Sequence, residues 1–324
     1  MRGFLSRQIV ECAHDLPPVA SIHSALNVRT VTVARHAHMN AAEQAPRASS
    51  IEREPLPLGA SIVLYRTPVG EIAALIDELL DQGAARVYLV DNSPLSFDTF
   101  GQWTPPERVT IIRAGRNLGY GRGHNIAISD SIRRHRYHVV SNPDIRLGKN
   151  VLRELFAVME ARSDVGLSMP EVVGPDGVRH YLCKRAPSPF QFLPASLVPH
   201  AWWAKRRAYF EMREYSYDRE IEAECLSGCF MFLRSSILQR TGAFDERFFM
   251  YFEDFDLSRR VRRVARNLYF PAVHVIHEHR SEHRRSWRLL RAFGMSAIRY
   301  FSKWGWFEPR ASREGRHAAA GSGQ

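Results

Sequence analysis

The sequence predicts an α/β protein built on an open, mostly parallel sheet flanked by helices. From Ala60 onward, short apolar runs alternate with stretches of helical period. Two of these runs end in the polar strings Val90-Asp91-Asn92 and Ser141-Asn142-Pro143-Asp144, and a later string, Phe249 to Asp256, sets Glu253, Asp254 and Asp256 at a helix start. Carboxylates at strand ends stand where an open α/β sheet receives its ligands, so a charged, nucleotide-like substrate is expected.

Residues 1–58 lack a sustained apolar period, and Asn40 to Pro57 is rich in Ala, Pro, Ser and charge, as a linker would be. This segment is expected to be a poorly structured extension, with Met39 as an alternative start. Ser61 to Tyr65 then reads as a buried strand, Val69 to Gln82 as an amphipathic helix and Arg86 to Val90 as a second strand. That is a βαβ unit and implies parallel pairing. Val109 to Ile112 gives a third strand, Asn125 to Arg134 a helix and Tyr137 to Val140 a fourth strand, which Pro143 prevents from continuing. A helix at Val151 to Ala161 and a strand at Val165 to Met169 follow. Pro170 to Glu224 is mixed polar and aromatic and is read as elaboration on the acceptor side. Leu226 to Leu233 reads as a strand, Phe252 to Ala265 as a helix with an acidic start, and Asn267 to Ile276 as a last strand. No internal repeat of fixed period is found.

Composition narrows the class. At 324 residues and 45% apolar content the chain can bury an ordinary core. Cys225 and Cys229 form the one close cysteine pair, with no second pair to complete a zinc site; with Cys12 and Cys183 they read as buried free thiols of a reducing compartment. No apolar run approaches the roughly 20 residues that span a bilayer, and Glu11, His14 and Asp15 interrupt any signal-like core. A cytoplasmic location is expected. The net charge of +11 suits an anionic partner, whether nucleotide, nucleic acid or lipid surface.

Each chemistry-bearing string has a plainer reading beside the functional one. Asp91 can accept from a base N–H or ribose hydroxyl, or it can close an Asx turn. Arg116 to Asn125 carries three glycines where a helix opens, which lets backbone N–H groups approach phosphate; a plain strand-to-helix connection reads the same, and the spacing is not a dinucleotide fingerprint. Asp144 can hold Mg²⁺ or Mn²⁺ together with a diphosphate, or cap a turn. Glu253, Asp254 and Asp256 can complement a helix dipole without any function. Yet Phe248, Phe249, Tyr251 and Phe252 around them would desolvate a carboxyl and raise its basicity toward that of a general base. His274, His277, His279 and His283 do not match a standard zinc spacing, and one of them completing a Mg²⁺ or Mn²⁺ shell is preferred.

Taken in order, these strings resemble inverting family 2 glycosyltransferases of the GT-A type, and more narrowly bacterial rhamnosyltransferases of surface-polysaccharide (O-antigen) assembly. The resemblance runs from about Ala60 to Phe307. It rests on Val90-Asp91-Asn92-Ser93, on Asn117-Leu118-Gly119-Tyr120-Gly121 with Gly123 and Asn125, on Asn142-Pro143-Asp144 and on Leu226-Ser227-Gly228-Cys229. Its strongest part is Gly242 to Leu257 followed by Arg260.

The resemblance implies a GT-A-like (Rossmann-like) domain over 59–278, preceded by the extension 1–58 and followed by a basic amphipathic helix and tail over 279–324. It places the donor nucleotide on Tyr65, Asp91, Asn117, Gly119, Asn125 and Asn142, with Asp91 at the base. Asp144 and His277 become ligands of Mg²⁺ or Mn²⁺, with Asn142 standing where the first Asp of the usual Asp-x-Asp would be. Asp254 becomes the catalytic base with Glu253 beside it, in a direct displacement at the anomeric carbon. The implied donor is a nucleotide sugar, dTDP-rhamnose before others, and the implied acceptor a saccharide or lipid-linked oligosaccharide.

From Arg284 to Phe307 six basic residues alternate with large apolar ones, as in a basic interfacial helix; packing of the same apolar face on the protein core would produce that pattern too. A peripheral position on the inner face of the cytoplasmic membrane is expected, and no nucleic-acid partner. Two rivals share the fold: a non-catalytic basic module for membrane or nucleic acid, and a sugar nucleotidyltransferase. The first needs neither Asp144 nor Asp254, and the second does not account for the Glu253-Asp254 string.

Overall fold

The computed structural model describes residues 54–192, 200–278 and 287–306. The expected extension up to residue 53, Met39, Cys12, His279, His283, Arg284, Arg285 and the tail from 307 lie outside them.

The chain alternates strands and helices in its first half: β1 (Leu56–Leu64), α1 (Ala73–Asp81), β2 (Ala84–Asp91), β3 (Val109–Arg113), α2 (Tyr120–Arg134), β4 (Tyr137–Ser141), β5 (Ile145–Leu147), α3 (Val151–Ala161) and β6 (Val165–Val173). The second half is more irregular, with β7 (Cys183–Lys184), α4 (His200–Phe210), β8 (Ile221–Glu222), β9 (Cys225–Leu226), β10 (Phe230–Arg234), α5 (Ser235–Thr241), α6 (Glu253–Arg262), β11 (Arg266–His277) and α7 (Trp287–Trp304).

Among the described residues the main sheet runs β3-β2-β1-β4-β10-β6-β11-β5, with β8 paired to β11. The pairs β1–β2, β2–β3, β1–β4 and β6–β11 are parallel, while β10 lies antiparallel between β4 and β6. After β3 the chain returns across β1 to lay down β4 on its far side. The carboxyl ends of β1 and β4 therefore flank a topological switch point, where a crevice opens for ligands.

Strand β1 is buried on both faces, as a central parallel strand must be. Leu58, Ala60, Ile62 and Leu64 join the main core with Leu75, Ile76 and Leu79 of α1. Val63 joins Tyr88, Val90 and Ala127 of α2. Helices α2, α5 and α6 follow one another in contact. The second-half helix α7 lays Tyr300, Phe301 and Trp304 on Phe248 and Phe252 in a separate aromatic cluster.

Several expectations need correction. Strand β1 begins at Leu56, with Leu56 and Leu58 buried, so the fold starts inside the segment 1–58. Helix α2 begins at Tyr120, not Asn125, which takes Gly121 and Gly123 into its first turns. The expected strand 226–233 is two strands, because Ser227-Gly228-Cys229 leaves the sheet between β9 and β10. The interior of 170–224 contains β7, α4 and β8, whose short strands and Arg-rich helix carry little apolar period. Cys183, Cys225 and Cys229 are free and buried, as expected.

Candidate active site

The strand ends at the switch point bring together one half of the site. Asp91, the last residue of β2, pairs with Leu64 across the sheet and is buried, so Tyr65 follows directly beside it. The two ends are tied: Asn92 N–H donates to the Leu64 carbonyl at 2.8 Å and Arg66 N–H to Ser93 Oγ at 2.8 Å. Asp91 Oδ1 accepts from Ser93 N–H at 2.9 Å, the Asx turn of the plainer reading, and this turn fixes the carboxylate at the sheet edge.

Beyond β4, Pro143 ends the strand and Asp144 meets His277, the last residue of β11. Asp144 Oδ1 lies 3.1 Å from His277 Nε2, with the Asn142 amide nitrogen 3.4 Å from the same ring nitrogen. Antiparallel pairing of His277 with Ile145, together with a bond from Glu278 N–H to the Asp144 carbonyl at 2.8 Å, sets this meeting from the backbone. Two donor atoms 3.1 Å apart match neighbouring ligands on an octahedral ion with bonds of about 2.1 Å. A carboxylate beside an imidazole is also a donor set that Mn²⁺ accepts. The residues thus fit a divalent ion of low protein-ligand count, the kind that completes its shell with phosphate and water. Among the described residues no group of three or more His, Cys, Asp or Glu side chains forms a fuller cage.

The other half of the site is the start of α6. Tyr251 and Phe252 both adopt positive φ, 70° and 69°, and turn the chain so that Glu253 and Asp254 enter the helix. Asp254 accepts from Gly228 N–H at 3.0 Å and from Phe255 N–H at 2.8 Å. Burial raises its pKa, and these two backbone bonds and the Lys184 charge work against that rise. Glu253 is pushed well above the usual carboxylate range, first by burial and then by the Asp254 charge. Its Oε2 is buried with no hydrogen-bond partner among the described residues. Burial therefore favours the protonated form at both acids, more strongly at Glu253, while the two N–H donors and Lys184 favour the carboxylate at Asp254.

One short segment joins the halves. Gly228 N–H binds Asp254, and the next residue's carbonyl, that of Cys229, accepts from Asn142 N–H at 2.9 Å. Tyr120 completes the joint by donating its hydroxyl to the Gly228 carbonyl at 2.6 Å. Burial drives the Tyr120 pKa well up, with Cys229, Asp254 and Asp144 adding to it, so this phenol stays a donor.

Asn142, Asp144, His277, Glu253 and Asp254 thus border one connected group, and Tyr65 and Asp91 stand at the ends of the neighbouring strands β1 and β2. Asn117, Gly119 and Asn125 do something else. Gly119 N–H is taken by Asn117 Oδ1 at 3.0 Å and Tyr120 N–H by the Phe249 carbonyl at 2.9 Å. Gly119 has φ +87°, and a Cβ there would overlap that Phe249 carbonyl. Asn125 uses both ends of its amide on the Phe244 backbone, at 2.8 and 2.9 Å. The glycine-rich string clamps the 244–249 loop, which carries the acidic turn, and these N–H groups are not free to cradle phosphate. Asp256 is likewise structural, bonded to Arg260 Nε and Trp304 Nε1, each at 2.8 Å.

Sequence reasoning passed over Tyr120 as a functional side chain and Lys184 altogether. Tyr120 stood inside a quoted string, and its position opening α2 was the available signal. Lys184 lies in β7, opposite Cys225 of β9, and no local pattern marks it.

No protein-family model matches the chain. In sequence it is 28% identical over 183 residues to the N-acetylglucosaminyl-diphospho-decaprenol L-rhamnosyltransferase of Mycobacterium tuberculosis, a match covering 52% of this chain and 58% of that protein. It is 26% identical over 191 residues to the low-salt glycan biosynthesis hexosyltransferase Agl10 of Haloferax volcanii, covering 57% of this chain and 56% of that one. The chain thus spans less than two thirds of the length of the relatives it matches. In structure it superimposes on GalNAc-T7, solved with UDP, GalNAc and Mn²⁺, with a TM-score of 0.53 at 14% identity, over 78% of this chain and 48% of that one.

Fold and sequence together define the class, a GT-A-type α/β protein related to glycosyltransferases. Within that class its named sequence relatives are a rhamnosyltransferase and a glycan hexosyltransferase.

Proposed function

We propose that the protein is an inverting glycosyltransferase that moves a sugar, L-rhamnose from dTDP-rhamnose, to a hydroxyl of a lipid-linked saccharide in cell-surface polysaccharide assembly. The observation that carries this reading is the Gly228-Cys229 joint, whose N–H holds the Asp254 carboxylate and whose carbonyl holds the N–H of Asn142, two residues before Asp144. A group that can hold a diphosphate and a group that can take a proton are thereby kept in one rigid frame, as displacement at an anomeric carbon requires. The names of the sequence relatives support the sugar and the lipid-linked acceptor.

Tyr65 and Asp91 meet the donor's nucleoside at the ends of β1 and β2. Asp144 and His277 hold Mg²⁺ or Mn²⁺, with Asn142 alongside. When bound, the ion supplies positive charge to the departing diphosphate. Asp254 accepts the proton of the acceptor hydroxyl: burial raises its basicity, and the Gly228 and Phe255 N–H groups hold it in place. Glu253, kept protonated beside it, spares the site a second negative charge.

No helix among the described residues is long and apolar enough to cross a membrane. A lipid-linked acceptor then calls for peripheral association, on the cytoplasmic face where nucleotide sugars are made. The outward positions of α7 support this, with Trp287, Leu290 and Ile298 exposed beside Arg288 and Arg291.

The test is a donor panel of dTDP-rhamnose, UDP-glucose and GDP-mannose with Mn²⁺ and a prenyl-diphosphate-linked N-acetylglucosamine acceptor, the product read by mass spectrometry. Transfer from dTDP-rhamnose above the other two is expected. Absence of transfer from every donor would reject the reading.

A further inference from the structure

Away from the strand-end site, the 3₁₀ turn Pro189–Phe192 and helix α4 form an open crevice lined by Phe190, Trp202, Trp203, Arg206, Arg207 and Phe210. Its composition is unusual for a surface groove. The helix reads His-Ala-Trp-Trp-Ala-Lys-Arg-Arg-Ala-Tyr-Phe and carries three basic residues and no acid. Phe190, Trp202 and Tyr209 are all largely exposed.

Arg206 is the centre of the crevice. Its guanidinium lies 4.5 Å from the Trp202 ring and 5.8 Å from the Phe190 ring. Its Nε is buried with no hydrogen-bond partner among the described residues. A guanidinium steadied by two rings, with a donor unspent, is pre-organised to bind an oxyanion in the plane of its fork. Arg207, over the Trp203 ring at 5.6 Å and bonded to Glu211 at 3.0 Å, adds charge to the same wall.

The crevice also points toward the chemistry. Its inner wall, Phe210, contacts the Phe255 ring at 6.1 Å, one residue from Asp254, and Lys184 lies over the other side of that wall with Nζ 5.2 Å from the Phe210 ring. At the outer end Phe192 contacts Phe293 of α7 at 5.4 Å, which connects the crevice to the helix bearing exposed Trp287 and Leu290. An anion held on Arg206 would have an apolar surface outside it and the candidate base inside it.

We propose that this crevice is the acceptor-anchoring subsite and takes the diphosphate of a prenyl-diphosphate-linked saccharide, with the prenyl chain directed along the exposed α4–α7 rim and the sugar toward Asp254. This inference rests on the glycosyltransferase reading above and adds to it a place for the acceptor. Arg206 supplies the planar donors, Trp202 and Phe190 hold it and cover the first carbons of the prenyl chain, and Lys205 and Arg207 add long-range attraction.

Farnesyl diphosphate is the probe, titrated calorimetrically into the full chain at saturating dTDP and Mn²⁺ so that the donor site is filled. The wild type should bind it, and Arg206→Gln and Trp202→Ala should each weaken binding at least tenfold, with farnesol and inorganic pyrophosphate binding far more weakly than the intact probe. The thermal shift with dTDP should be the same in both variants as in the wild type, which also shows that they fold. If either variant fails to fold, Arg206→Lys, which keeps the charge and loses the planar fork, should still weaken the probe.

Unchanged farnesyl diphosphate binding in the folded variants would overturn the proposal. So would a wild type that shifts with dTDP yet does not bind the probe, and this leaves the donor reading standing. A wild type that responds to neither ligand removes the glycosyltransferase reading itself. Variants that lose binding to phosphatidylglycerol vesicles but keep the probe would assign the crevice to the membrane surface instead.

Discussion

Asp144 and Asp254 stand at two corners of one site, yet they are built in opposite ways. Asp144 stands in the turn between β4 and β5 with 23% of its side chain open, and its partner His277 reaches it by backbone pairing alone. Asp254 opens a helix, partly buried, behind a turn of two non-glycine residues at positive φ, a conformation that costs about 1–3 kcal/mol per residue. That turn is held from outside. Phe252 packs against Phe192, Phe293 and Tyr300 at 5.2–5.3 Å, and Ser296 Oγ donates to the Met250 carbonyl at 2.8 Å. Two residues after Asp254, Asp256 is fully buried and receives Trp304 Nε1 at 2.8 Å. The strand-end corner is thus a property of the sheet, open and adaptable to a ligand, whereas the helix corner depends on α7, almost fifty residues further on in the chain. An ion and a diphosphate need access; a base needs desolvation and a fixed direction.

The largest effect expected from breaking this contrast is at the helix corner. Asp254→Asn keeps the size of the side chain and one of its two acceptor oxygens but cannot take a proton, so sugar transfer should fall by at least about 10²-fold with dTDP affinity little changed. Steady-state kinetics and nucleotide titration check this. Near-normal transfer by this variant would remove Asp254 as the base.

A smaller effect follows from loosening the support without touching the acid. Trp304→Phe keeps most of the packing and deletes one of the two donors on Asp256 Oδ1, Lys303 Nζ remaining at 2.7 Å, at a cost of about 1 kcal/mol in stability. Denaturant unfolding should show that loss. Transfer should weaken with it, while the metal-dependent part of nucleotide binding, which belongs to the other corner, should not. Loss of both together would mean that the corners are not separately built.

Glu253 supplies the smallest effect. The unfolded chain carries an ordinary glutamate, and burial and the Asp254 charge hold the native one well above it. Between those two pKa values the native state keeps a proton that the unfolded state has lost, so the Glu253 contribution to stability falls as pH rises through that window. Glu253→Gln should flatten this decline in unfolding curves taken upward from the ordinary glutamate range. An unchanged slope would show that Glu253 is not the protonated partner.

The difference between the corners also decides what could be read from the residues alone. Asp91 and Asp144 follow short apolar runs, and a Pro or an Asx-type turn after such a run places a side chain at the sheet edge whatever packs around it. Glu253 and Asp254 were visible as an acidic helix start among aromatics. The clamping contacts of Gly119 and Asn125 were not legible because a glycine that admits a phosphate and one that admits the Phe249 carbonyl look alike in a string. Asp256 was grouped with its neighbours because its partner, Trp304, lies far along the chain. Lys184 and Arg206 sit in short or weakly periodic elements, and what makes them notable is ring and charge contact across the fold.

The central claim is that Asp144 and His277 hold the ion and diphosphate while Asp254 does not. It is tested most directly by thermal shift with dTDP, with and without Mn²⁺, on the wild type, Asp144→Ala and Asp254→Asn. At 100 times its dissociation constant, dTDP with Mn²⁺ should stabilise the wild type by about 2.7 kcal/mol. Asp144→Ala should lose the Mn²⁺-dependent part of that gain, and Asp254→Asn should keep it. A full Mn²⁺-dependent gain in Asp144→Ala, or its loss in Asp254→Asn, would contradict the account.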